Sequence, residues 1–156
     1  MKPLINLIIL TLICAGSAIA QNEKNNPVKS AIETKHYVFK ARTAMPVNGS
    51  PRQLTSEYDL TINNDSLVAY LPYFGRAYSA IPGRTTDGIN FTSTDFTYKV
   101  TERKKGGWMI EIKPKDANDV QQLNLNLSEN GYGTLLVNNQ NRQPISFTGK
   151  ADPLKK

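Results

Sequence analysis

Tyr58, Leu60 and Ile62 interleave with Asp59 and Thr61, and this period of two recurs down the chain. Phe96, Tyr98 and Val100 alternate with Thr97 and Lys99. Trp108, Ile110 and Ile112 alternate with Met109 and Glu111. Leu123, Leu125 and Leu127 alternate with Asn124 and Asn126, and Ile145 and Phe147 flank Ser146. Successive side chains of a strand point to opposite faces, so the pattern requires sheets with one dry and one wet face. Antiparallel sheets have that property, whereas parallel ones are buried on both sides.

The alternation places strands near 37–43, 53–62, 66–71, 89–93, 96–103, 107–113, 120–127, 132–138 and 144–149. Ahead of them, Asn26 and Pro27 read as N-cap and first residue of a short helix, with Val28, Ala31, Ile32 and Lys35 at helical spacing. The connections carry turn chemistry. Asn63-Asn64-Asp65 tolerates left-handed backbone, Gly106-Gly107 and Gly131 supply positive φ, and Asn138 to Asn141 is a further turn. About eight or nine short strands joined by hairpins have to hide their edges. An antiparallel up-and-down barrel does so, and a two-sheet sandwich is the alternative that period and turn spacing leave open. A barrel of that size either fills with side chains or holds one small ligand.

Met1 to Ala20 reads as an export signal. Lys2 gives the positive start, Leu4 to Cys14 is mostly apolar, and Ala18-Ile19-Ala20 is the small-x-small pattern before cleavage. The apolar run falls short of the roughly 20 residues that a transmembrane helix needs. Lipid attachment at Cys14 is disfavoured because the bulky Ile13 precedes it. Cleavage after Ala20 would make the protein periplasmic or secreted and would remove its single cysteine, excluding disulfide and thiolate chemistry. The expected organisation is a signal peptide at 1–20, a polar lead and short helix at 21–35, a barrel domain at 36–150 and a basic tail at 151–156.

With 19 Lys and Arg against 13 Asp and Glu, the formal net charge is +6, one unit lower once Lys2 leaves. The cations are scattered, which suits solubility and weak attraction to anionic envelope polymers. Nucleic acid is not expected as a partner of an exported chain with no recognised binding module. His36 is the only histidine, so no histidine-rich metal site is expected, and no cofactor is expected either. No G-x-S-x-G elbow is present, and Glu57 and Asp59 share the outward parity of a strand, where a solvated face explains them. A hydrolase is therefore the least favoured class.

The densest unusual segment is Leu71-Pro72-Tyr73-Phe74-Gly75-Arg76-Ala77-Tyr78. Pro72 ends strand pairing and Gly75 permits a sharp bend. Tyr73, Phe74 and Tyr78 offer aromatic faces, and Arg76 offers a bidentate partner for a carboxylate or phosphate. The bland alternative is that the aromatics cork the barrel mouth while Arg76 pairs with a carboxylate. Trp108, on the apolar parity, reads as a core anchor standing behind this lip.

Tyr37-Val38-Phe39-Lys40-Ala41 followed by Pro46, then the Leu71–Tyr78 block, Gly106-Gly107-Trp108 and Pro144-Ile145-Ser146-Phe147-Thr148-Gly149 run in that order. In these blocks the chain resembles the bacterial domain-of-unknown-function family 4251 over about residues 28–150. The resemblance implies an exported Gram-negative envelope protein with a lipocalin-like antiparallel barrel. It brings no assigned activity, substrate or catalytic residue. The expected function is a non-enzymatic β-barrel domain that binds a small lipid-like, amphipathic or anionic ligand. Its interior would take the apolar part, and Tyr73, Phe74, Arg76, Tyr78 and Trp108 would serve the mouth. The alternative is an envelope scaffold with a solid core that binds a protein partner.

Overall fold

In the computed structural model, which describes residues 26–78, 88–117 and 119–155, the chain enters its first element at Asn26. The export signal expected at 1–20 lies outside these residues. The Asn26 side chain accepts hydrogen bonds from the backbone N–H of Val28 (3.0 Å) and Lys29 (3.4 Å), and Pro27 occupies the first turn. The resulting helix, α1 (Pro27–Glu33), buries Val28, Ala31 and Ile32. It ends where Lys35 adopts a φ of 51°, so that the chain reverses into the first strand.

Nine strands follow: β1 (His36–Pro46), β2 (Arg52–Asn63), β3 (Ser66–Leu71), β4 (Ile89–Ser93), β5 (Phe96–Glu102), β6 (Trp108–Pro114), β7 (Val120–Leu127), β8 (Tyr132–Asn139) and β9 (Ile145–Pro153). They form one antiparallel sheet in the order β4-β3-β2-β1-β9-β8-β7-β6-β5, a nearly closed barrel. Each expected strand is present. β9 runs on through Pro153, past the point where a basic tail was expected at 151. Lys150-Ala151-Asp152 carries no large apolar residue to signal a strand, yet Ala151 is buried and pairs with Phe39.

The closure has a simple geometric cause. Every neighbouring pair is antiparallel, so the first and last strands of a nine-strand order point the same way. Those strands, β4 and β5, are consecutive in sequence and joined by Thr94 and Asp95 alone. They are two halves of one bent strand, the first laid on β3 and the second on β6, which brings the two edges of the sheet together in the nearly closed barrel. The bend is held from the β6–β7 connection by Asp116. Its carboxylate accepts from the Ser93 hydroxyl and from the N–H groups of Thr94 (3.0 Å) and Asp95 (3.4 Å). These bonds, that from Ser93 first, hold the Asp116 carboxyl below the usual aspartate range.

Inside, Phe39, Leu60, Ile62, Leu67, Ile110, Leu123, Leu125, Leu135 and Phe147 are all 0% exposed. A cavity large enough for water would leave accessible area on its lining, so none borders these side chains, which pack on one another in a single cluster. β5 departs from the pattern: Phe96 and Tyr98 are half-buried and Val100 is 37% exposed, because β5 pairs on one side only. Tyr98 still reaches in, its hydroxyl 3.1 Å from the Ile32 carbonyl and 3.2 Å from the Tyr37 hydroxyl, which ties α1 to both strands. Burial raises both phenols, that of Tyr98 to about 12.

A second irregularity shapes the mouth. Pairing of β1 with β2 jumps from Ala41↔Tyr58 to Thr43↔Gln53. The segment 54–57 therefore bulges opposite the single residue Arg42, and Thr55, Ser56 and Glu57 are exposed.

Candidate functional site

Leu71 and Pro72 are both buried at the end of β3. Pro72 has no N–H to continue the ladder, so the chain leaves the sheet there. It folds across the β8–β9 connection instead. Tyr78 N–H donates to the Asn141 carbonyl (2.8 Å), Gln143 N–H donates to the Arg76 carbonyl (3.1 Å), and Ala77 forms an isolated bridge with Arg142. The Tyr73 hydroxyl lies 3.0 Å from the Arg76 carbonyl and 3.1 Å from that of Gln143. Burial raises its pKa, with Arg142 opposing the shift most strongly.

Arg142 is the staple of this region. Its Nε donates to Asp119 Oδ2 (2.6 Å), its Nη2 lies 2.5 Å from the same oxygen, and its Nη1 donates to the Gly88 carbonyl (2.9 Å). The guanidinium also stacks 4.5 Å from the centre of the Tyr73 ring. Arg142 and Asp119 are 11% and 4% exposed at their side chains, so the pair is close to fully desolvated. One side chain thereby joins the starts of β4 and β7, the β8–β9 connection and the segment after β3.

Beside this staple opens a groove of about 490 Å³. Tyr58, Tyr70, Tyr73 and Phe74 give it aromatic walls, and Asn90 and Arg142 give it polar groups. Tyr58 and Tyr70 are stacked, with ring centres 5.4 Å apart and planes 24° apart. Arg52 lies over the Phe74 ring at 4.8 Å. This volume falls in the range of small-molecule sites, and its aromatic walls are mixed about evenly with polar groups.

The structure divides the expected site residues. Tyr73 and Phe74 line the groove. Arg76 and Tyr78 are exposed on the same segment but do not line it, and Arg76 is held through its backbone. Trp108 is not behind them. It pairs with Leu127 and Glu102, at the end of β7 and β8 where Leu127 faces Gly133. The groove lies at the other end, where Val120 faces Asn139. One traversal of the barrel, by the bent strand of β4 and β5, separates the two positions, which parity along one strand cannot reveal. Trp108 is 6% exposed and belongs to the core. The fully buried core side chains named above leave no accessible space beside them, whereas the groove is open.

His36 bonds through Nδ1 to Asn63 Oδ1 (3.0 Å), at the α1 end. Asp59 is half-buried, and burial raises its carboxyl above the usual range, with Lys40 opposing the shift and Glu57 adding to it. Among the described residues no cluster of three or more His, Cys, Asp or Glu is placed to hold a metal ion.

In the sequence Tyr58 reads only as an apolar-parity residue of its strand, and none of Tyr70, Asn90, Asp119 and Arg142 is singled out. One signal was available: Leu67, Ala69 and Leu71 set the inward parity of β3, which leaves Tyr70 as a large aromatic on the wet face. Nothing local marks Arg142 and Asp119 as partners, since 23 positions separate them.

A family model, "Domain of unknown function (DUF4251)", matches residues 20–151, and the chain belongs to that family. A solved structure of a DUF4251 family protein from Bacteroides eggerthii is similar to it, with 16% identity, a TM-score of 0.61, and coverage of 82% of this chain and 86% of that one. No curated protein matches the chain.

Proposed function

We propose that this member of a family with no assigned activity is an exported, non-enzymatic β-barrel module that holds a small amphipathic or anionic ligand across the barrel mouth. One observation carries the reading: a groove of about 490 Å³ with aromatic walls lies beside a core of fully buried side chains. Aromatic faces take the apolar part of a ligand, and the Asn90 amide meets its polar end. Arg142 has spent three of its donor contacts on Asp119 and Gly88, so the exposed Arg76 on the neighbouring segment and Arg52 over the Phe74 ring are the cations offered to an anionic group. The proposed lack of catalysis is supported by His36, which sits at the opposite end of the barrel against an asparagine. Export rests on the N-terminal sequence, and Gln21 is the expected first residue of protein recovered from cells.

Native mass spectrometry of protein purified from the envelope of its own host tests the reading. A retained ligand appears as added mass, and Ala77→Trp, which fills the groove from an exposed position on its wall, abolishes it. Added mass that survives Ala77→Trp would place the ligand elsewhere. The fully buried core side chains also suit the second reading, a scaffold that meets a protein partner at this mouth. In that case a partner co-purifies and no small adduct is found.

A further inference from the structure

Cross-strand register sets four outward side chains in one row over the outside of the barrel. Lys40 of β1 pairs with Asp59 of β2, Asp59 with Tyr70 of β3, and Tyr70 with Asn90 of β4. At the usual strand spacing this row is about 14 Å long. Tyr70 stands at its centre, 53% exposed, with one ring face backed by Tyr58. Lys40 and Asn90 are exposed and Asp59 is half-buried. Tyr58, Tyr70 and Asn90 also line the mouth groove, so the row and the groove are continuous.

We infer that this row recognises a sugar ring, so that the groove's ligand is a saccharide; the inference rests on the groove reading above and specifies its ligand class. The C–H groups on one face of a pyranose are weakly positive and dock on the negative face of an aromatic ring. Hydroxyls at the ring's edge both donate and accept. Asp59 on one side of Tyr70 accepts from a pair of them, and the Asn90 amide on the other side offers one donor group and one acceptor. A bare phosphate or a lipid headgroup anion at the same spot would meet the Asp59 carboxylate and be repelled. Lys40, one strand further out, is placed for the carboxylate of an acidic sugar. A solvent-facing aromatic between a carboxylate and an amide has no role in the core of the barrel, which supports a surface ligand.

The test is an array of neutral and uronate-bearing oligosaccharides probed with the protein beginning at Gln21. Wild type binds members of the array, Tyr70→Ala weakens binding by about tenfold or more, the scale of losing an aromatic anchor, and Tyr70→Trp retains it. Lys40→Gln removes a preference for uronates over their neutral counterparts. Failure to bind any saccharide, or binding indifferent to Tyr70→Ala in a variant with an unchanged melting temperature, overturns the inference. If no saccharide binds while an Ala77→Trp-sensitive mass adduct persists, the sugar assignment fails and the groove reading stands. Saccharide binding that needs Tyr70 but ignores Ala77→Trp confines the site to the outer row and removes the groove from it.

Discussion

Replacing Asp119 by Ala should unfold the mouth before the rest of the barrel, and the size of the effect follows from what Arg142 would lose. Asp119 receives two guanidinium contacts, at 2.6 and 2.5 Å, and the Asn141 N–H at 3.4 Å. Without it a guanidinium that is 11% exposed keeps only the Gly88 carbonyl and the face of Tyr73. Removing one partner of a buried pair costs about 3–5 kcal/mol, and the two surviving contacts favour the lower end. A domain of this length melts about 3–4 °C lower per kcal/mol, so the expected drop is about 10 °C. A buried pair need not stabilise relative to an apolar replacement. The double variant Asp119→Leu, Arg142→Met should therefore lie within about 1 kcal/mol of wild type in urea denaturation. A cost below about 1 kcal/mol for the single variant, or a double variant that loses the sum of both singles, would refute the view of Arg142 as a desolvated staple. Hydrogen exchange at Tyr78 and Gln143, whose N–H groups bind across this connection, should quicken first.

Trp108→Ala should cost about 3–5 kcal/mol in chemical denaturation yet leave any groove ligand's affinity unchanged in the folded fraction, since the indole sits at the far end of the barrel. Gly149→Ala would push a methyl group onto the Lys40 carbonyl, beside the β1 irregularity, and should lose about 1–3 kcal/mol by the same assay. For Asp116 the folded carboxyl lies below its unfolded value, so its contribution is complete above the ordinary aspartate pKa of about 4 and fades as pH falls through the lowered value. Asp116→Asn should thus lower the melting temperature at pH 7 and narrow the gap to wild type as pH drops below about 4; a gap independent of pH would exclude the latch at Ser93–Asp95.

The alternation that begins at Tyr37 and ends at Phe147 was legible because one strand face must be dry, and the interior residues named by it are buried with few exceptions. Those exceptions are instructive. Val100 has the same parity as Ile110 opposite it, yet it is 37% exposed because β5 has no neighbour on its other side. Parity tells which face a residue occupies but not whether that face is covered.

Local chemistry within a few residues was enough to determine the strands, the Asn26 cap, the glycine and asparagine turns and the departure of the chain at Pro72, because each depends on backbone preferences and a period of two. Which ends of the strands meet, and hence that Tyr73 joins Arg142 while Trp108 lies across the barrel, depended on how successive hairpins add up in space. The same holds for the row from Lys40 to Asn90: its four members lie on four strands, and only the register of the folded sheet sets them side by side.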